Sequence, residues 1–162
     1  MTEVKHKKLL YVYGAVSIFI MLGIFIMSSQ DGSHSGNLSG GFLKSFIGEF
    51  LRKILPSLTD KGFEYDIRKY AHMTEYFCLG VSYYLFFAEL FRYKSNRLVS
   101  AFLSAFSLGF VYACSDEFHQ LFVPQRAGRF TDVLVDSVGL AASVIIMQLI
   151  FFTVKHLKNK KS

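Results

Sequence analysis

The sequence predicts an all-α membrane protein: a four-transmembrane-helix bundle with a short amphipathic outer helix between spans one and two. Three observations lead there. The chain is 52% hydrophobic and 17% aromatic, and only 19% of it is charged, which leaves too little polar surface for a soluble domain of 162 residues. Its apolar residues gather into four long runs, each near the length that crosses a bilayer. Its basic residues bracket those runs, as topology signals do. With two prolines and no Gly/Ser linker, residues 1–162 read as a single membrane domain.

The first run, "LLYVYGAVSIFIMLGIFIM" (Leu9–Met27), carries no charge and is long enough for about 30 Å of hydrocarbon. It follows a basic "KHKK" but exceeds a signal-peptide core, and no small-residue cleavage pattern follows, so it reads as a retained anchor. The second span is expected over 71–90, the third over 98–114 and the fourth over 133–154. Between spans one and two, "GFLKSFIGEFLRKIL" repeats Phe42, Phe46, Phe50 and Ile54 on one side, against Lys44, Glu49 and Arg52 on the other. That pattern suits a helix lying on the membrane surface or capping the bundle, stopped by Pro56.

A net charge of +6 raises the question of a nucleic-acid partner, and the distribution of the bases answers it. Lys5, Lys7 and Lys8 precede span one, Arg92, Lys94 and Arg97 separate spans two and three, and Lys155, Lys158, Lys160 and Lys161 follow span four. These ten of eighteen Lys/Arg, with almost none of the acids beside them, are expected to lie in the cytoplasm with both termini. The chain is thus expected to be a multi-pass protein with no nucleic-acid partner. Its oligomeric state is not legible.

On that topology three polar clusters meet at the outer face. Arg68, Lys69, His72, Glu75 and Tyr76 open span two, Asp116, Glu117, His119 and Gln120 close span three, and Asp132 and Asp136 open span four, with Arg126 in the loop before them. His72 shares a helix face with Glu75 and Tyr76, Asp116 with His119 and Gln120, and Asp132 with Asp136. Gly139 and Ser143 continue the last stripe, small enough to admit a neighbouring helix. Glu75 and Asp136 lie about a turn inside their apolar runs, where ionisable groups normally face a partner or water. His6 and His156 read as tail residues among lysines. Cys78 and Cys114 read as small buried residues at different depths, without a disulfide.

"IRKYAHMTEYFCLG" (Ile67–Gly80) followed by "YACSDEFHQLFVPQRAGRFTDVLVDSVG" (Tyr112–Gly139) resembles the VanZ-like family of bacterial membrane proteins, as does the serine-rich "SSQDGSHSGNLSG" after span one. The resemblance covers nearly the whole chain. It implies an integral membrane protein of the bacterial cell membrane, in a family whose namesake is associated with low-level resistance to the glycopeptide teicoplanin. Matched to the family's motifs are Arg68, Lys69, His72, Glu75 and Tyr76, then Asp116, Glu117, Gln120, Pro124 and Arg126, then Asp132, Asp136 and Gly139. Two positions depart: Gln125 stands where the family often has glycine, and Asp136 where asparagine is frequent.

Three functions compete for these residues. In the first, the outward pocket recognises a phosphate-bearing membrane lipid or lipid-linked envelope intermediate through Arg68, Lys69 and Arg126, while Tyr76, Asp116, His119, Gln120, Asp132 and Asp136 complete the binding face. If that pocket also modifies its ligand, Glu75 or Glu117 is the candidate general base and His72 the candidate acid. In the second, a divalent metal is the cofactor, held by His72, Glu75, Glu117, Asp132 and His119. In the third, the same residues form a non-catalytic polar network between helices.

Overall fold

Hydrocarbon offers no hydrogen bonds, so an apolar chain of this kind closes its backbone bonds within its own helices. The computed structural model describes residues 3–30, 60–124 and 126–161, the side chains of 60–68 and 161 excepted. Among the described residues every regular element is helical: α1 Glu3–Ser28, α2 Asp60–Leu90, α3 Arg97–Gln120 and α4 Phe130–Lys161. The amphipathic outer helix expected over 41–55 and the serine-rich segment before it lie outside the described residues.

α1, α3 and α4 are each long and apolar enough to cross a membrane. α2 is not among them, because His72, Glu75, a series of tyrosines and Glu89 dilute its apolar run. Packing accounts for the difference. α2 is the central helix, in contact with all three others, while α4 packs on α2 and α3, and α1 leans mainly on α2. A helix sheltered by its neighbours can carry polar side chains that a lipid-facing helix cannot. Its buried face presents Tyr76, Leu79, Tyr83 and Tyr84, which meet Leu140 and Val144 of α4 in one apolar cluster. The outer surfaces of α1, α3 and α4 are the reverse of a soluble protein's: Phe19, Ile26, Leu103, Val111, Leu149 and Phe152 are all exposed.

Apolar side chains gain little by leaving lipid for each other, so close packing and interhelical hydrogen bonds hold such a bundle. Gly139 supplies one close approach: a β-carbon there would run into the backbone carbonyl of Met73, so α4 lies directly against α2. Polar rungs cross this seam and the two that join α1 to α2 and α3. Tyr84 donates to Gln148 Oε1 at 2.7 Å, Tyr83 to Met21 Sδ at 3.0 Å and Tyr112 to the carbonyl of Met21 at 2.7 Å.

The helix ends sort into two groups. At the basic end, His6 of α1 lies 2.7 Å from Glu89 of α2, and Arg92 grips the same carboxylate through Nε at 3.0 Å and Nη2 at 2.7 Å. His6 is therefore no tail residue: a carboxylate that is only 4% exposed needs donors, and the first turn of α1 brings one. At the other end Ser28, Asp116, Lys69 and Asp132 meet, so α2 runs the full distance between the two ends. Cys78 and Cys114 are free thiols, and Cys78 is exposed rather than buried, on a side of α2 that no described helix covers.

Candidate functional site

α3 does not stop with its apolar run. It continues through "SDEFHQ" to Gln120, which keeps Asp116, Glu117 and Gln120 on its inner face. The Gln120 side chain then bridges both acids, with Nε2 3.3 Å from Asp116 Oδ2 and 3.1 Å from Glu117 Oε1. Across the seam the Ser28 hydroxyl donates to the same Asp116 oxygen at 2.9 Å, which ties the last residue of α1 to α3. The second oxygen of Glu117 accepts the backbone N–H of Arg129 at 2.9 Å and so folds the following loop back onto the helix. Gly128 makes that return feasible, since a β-carbon there would strike the carbonyl oxygen of Glu117.

Arg126 closes the end of α1. Its Nη2 donates to the carbonyl of Met27 at 3.0 Å and its Nε to that of Gln30 at 3.1 Å, satisfying acceptors that a helix C-terminus leaves open. A guanidinium there also opposes the negative end of the helix dipole.

Behind this frame lies a cavity of about 190 Å³, lined by Lys69 and His72 from α2, Glu117 and Gln120 from α3, Arg126, Ala127 and Arg129 from the loop, and Asp132, Val135 and Asp136 from α4. Lys69 reaches Asp132 at 3.2 Å, and His72 Nδ1 lies 3.8 Å from Glu75 Oε2. Asp136 is 2% exposed yet close enough to Glu117, Asp116, Asp132 and Glu75 to feel the charge of each. Four buried atoms here have no hydrogen-bond partner among the described residues: Asp136 Oδ2, Asp116 Oδ1, Glu75 Oε2 and the Tyr76 hydroxyl. Of these four residues Asp136 belongs to the cavity lining, and an unpartnered buried atom there is a place for a polar group supplied from elsewhere.

Of the residues singled out in the sequence, Lys69, His72, Glu117, Gln120, Arg126, Asp132 and Asp136 line this cavity. Asp116 stands in the frame beside it, held by Ser28 and Gln120. Tyr76 is fully enclosed, its ring 6.1 Å from that of Tyr112. His119 turns the other way, its ring 4.7 Å from Phe25 of α1. The side chain of Arg68 lies outside the described residues. Among the described residues no three His, Cys, Asp or Glu side chains come close enough together to hold a metal ion, so the five proposed ligands are not assembled as a metal centre. Ser28 and the backbone of Arg129 belong to the frame but were not among the sequence candidates. Phe118, Leu121, Phe122 and Phe130, next in sequence or close to lining residues, are each more than half exposed, at 63%, 57%, 72% and 67%.

Fold and cavity together define a class: a helical protein of membrane type with a mixed-charge cavity at one end of its bundle. Within that class, the family model VanZ/LLP1 matches residues 13–152, and the chain belongs to that family. No curated protein and no solved structure matches it.

Proposed function

We propose that the cavity recognises the phosphate-bearing head of a membrane lipid or lipid-linked envelope precursor at the outer face of the bacterial cell membrane. The observation that carries this reading is the pairing of two surfaces. Lys69, His72 and Arg126 line a polar cavity, and Phe118, Phe122 and Phe130, exposed residues at the same end of the bundle and close in sequence to lining residues, offer apolar surface. A ligand with a charged head and an apolar tail meets both. In this reading α2 crosses the membrane as well, as the second of four spans, and the basic end with His6, Arg92 and Arg97 faces the cytoplasm.

Size narrows the ligand further. About 190 Å³ is below the 300–1,000 Å³ of pockets that enclose drug-sized molecules, and suits a head group. A glycopeptide such as teicoplanin is far too large to enter. In this reading any link to resistance to it runs through the envelope. Both oxygens of Glu117 already accept hydrogen bonds, which fits an anchor better than a general base. Ser28, Asp116, Gln120 and Glu117 accordingly serve as frame, the part that the structural-network reading describes well. Lys69, His72, Asp132 and Asp136 are the recognition face.

Native mass spectrometry of the protein extracted from its own membrane tests this. A phosphate-containing lipid should remain bound to the wild type and be lost from Lys69→Ala, a variant at the half-buried rim whose fold should survive. A lipid-free wild type, or equal retention by the variant, sinks the reading.

A further inference from the structure

The cavity is poorly suited to a purely anionic ligand. Lys69, Arg126 and Arg129 are matched in its lining by Glu117, Asp132 and Asp136, and Glu75 and Asp116 add two more carboxylates just behind. The basic groups are partly engaged: Lys69 faces Asp132, and Arg126 holds two carbonyls of α1. Glu117 is satisfied by Gln120 and by the loop backbone. Asp136 differs. It lines the cavity, is 98% enclosed at 2% exposure, and its Oδ2 has no donor among the described residues. A buried carboxylate oxygen without a donor is costly: a proton relieves it when no ligand is bound, and a cation carrying several N–H bonds relieves it when one is.

Building on the lipid-head reading, we propose that the cavity selects a zwitterionic head, with its phosphate toward Lys69 and Arg126 and its primary ammonium on Asp136. An ammonium is compact, offers three donors, and is the counter-charge that the described part of the site does not place on Asp136 Oδ2. A phosphoethanolamine head has this chemistry. A phosphoglycerol head has the phosphate without the cation, and would bring a net negative charge into a ring of carboxylates.

The full-length protein in nanodiscs of equal phosphatidylethanolamine and phosphatidylglycerol, ejected intact into the mass spectrometer, reports which lipid it keeps. The wild type should keep phosphatidylethanolamine by about tenfold over phosphatidylglycerol, and by a similar factor over phosphatidylethanolamine acetylated at its amine, as one charge-assisted hydrogen-bond pair predicts. Asp136→Asn should erase both preferences. The acetylated lipid tests the pairing on unaltered protein, whatever the variant does to folding. Free phosphoethanolamine distinguishes the source of the head: displacement of bound lipid means that the head suffices, and no displacement means that acyl chains contribute. Either result is compatible with the ammonium contact only when the lipid preference is present. Phosphatidylglycerol bound as well as or better than phosphatidylethanolamine overturns the proposal and leaves the lipid reading standing. Equal binding of the acetylated lipid, or an unchanged preference in Asp136→Asn, likewise overturns it. Retention of neither lipid removes both.

Discussion

Asp116 shows how little slack a carboxylate has at this depth. One oxygen collects hydrogen bonds from Ser28 and Gln120, while the other has no donor among the described residues. Removing the hydroxyl with Ser28→Ala should lower stability by about 1 kcal/mol, read as thermal unfolding in detergent, because the acid loses its donor from α1. Gly139→Ala should cost about 1–3 kcal/mol in the same assay, since its methyl group must push α4 off the Met73 carbonyl. The sequence made one of these positions visible and hid the other. Gly139 lies on the stripe of Asp132 and Asp136, where a regular helical spacing points to it. Ser28 partners an acid 88 residues away, and no spacing rule reaches across helices. The pairing of His6 with Glu89 escaped for the same reason, and Cys78 was misplaced because an apolar helix gives no sign of which side its neighbours cover.

α1 is tied to its neighbours at both ends as well as midway, where Tyr83 and Tyr112 reach Met21. Near its start His6 meets Glu89, and at its finish Ser28 meets Asp116 while Arg126 caps its carbonyls. Glu89→Gln keeps the shape of the side chain but removes the charge that His6 and Arg92 share. It should cost about 1–3 kcal/mol and raise hydrogen exchange in the first turns of α1, with the cavity end unaffected. Arg126→Ala should do the converse, raising exchange near Met27 and leaving His6 protected. Four helix segments could be read from hydropathy because length and apolarity are properties of a segment alone. That α2 is the sheltered member could not, because shelter is a property of its neighbours.

At the scale of the whole molecule, the two ends are chemically unlike, and the proposed topology puts them on opposite sides of the membrane. With Cys78 and Cys114 replaced by alanine, Ala127→Cys in the cavity loop should react with a membrane-impermeant maleimide added to intact cells. Lys94→Cys, in the exposed turn after α2, should react only after the membrane is opened. The reverse pattern would invert the orientation and move the cavity to the inner face. Either way, the central place of α2 bears on the order in which the chain is made. The ribosome delivers α2 before α3 and α4, the two helices that cover much of its polar side. In the proposed topology this helix therefore waits at the bilayer during synthesis with its histidine, acids and tyrosines uncovered by α3 and α4, and α1 is the one described helix already beside it. A nascent chain halted before Arg97 should integrate poorly, and the complete chain stably: the last two helices rescue the one that came before them.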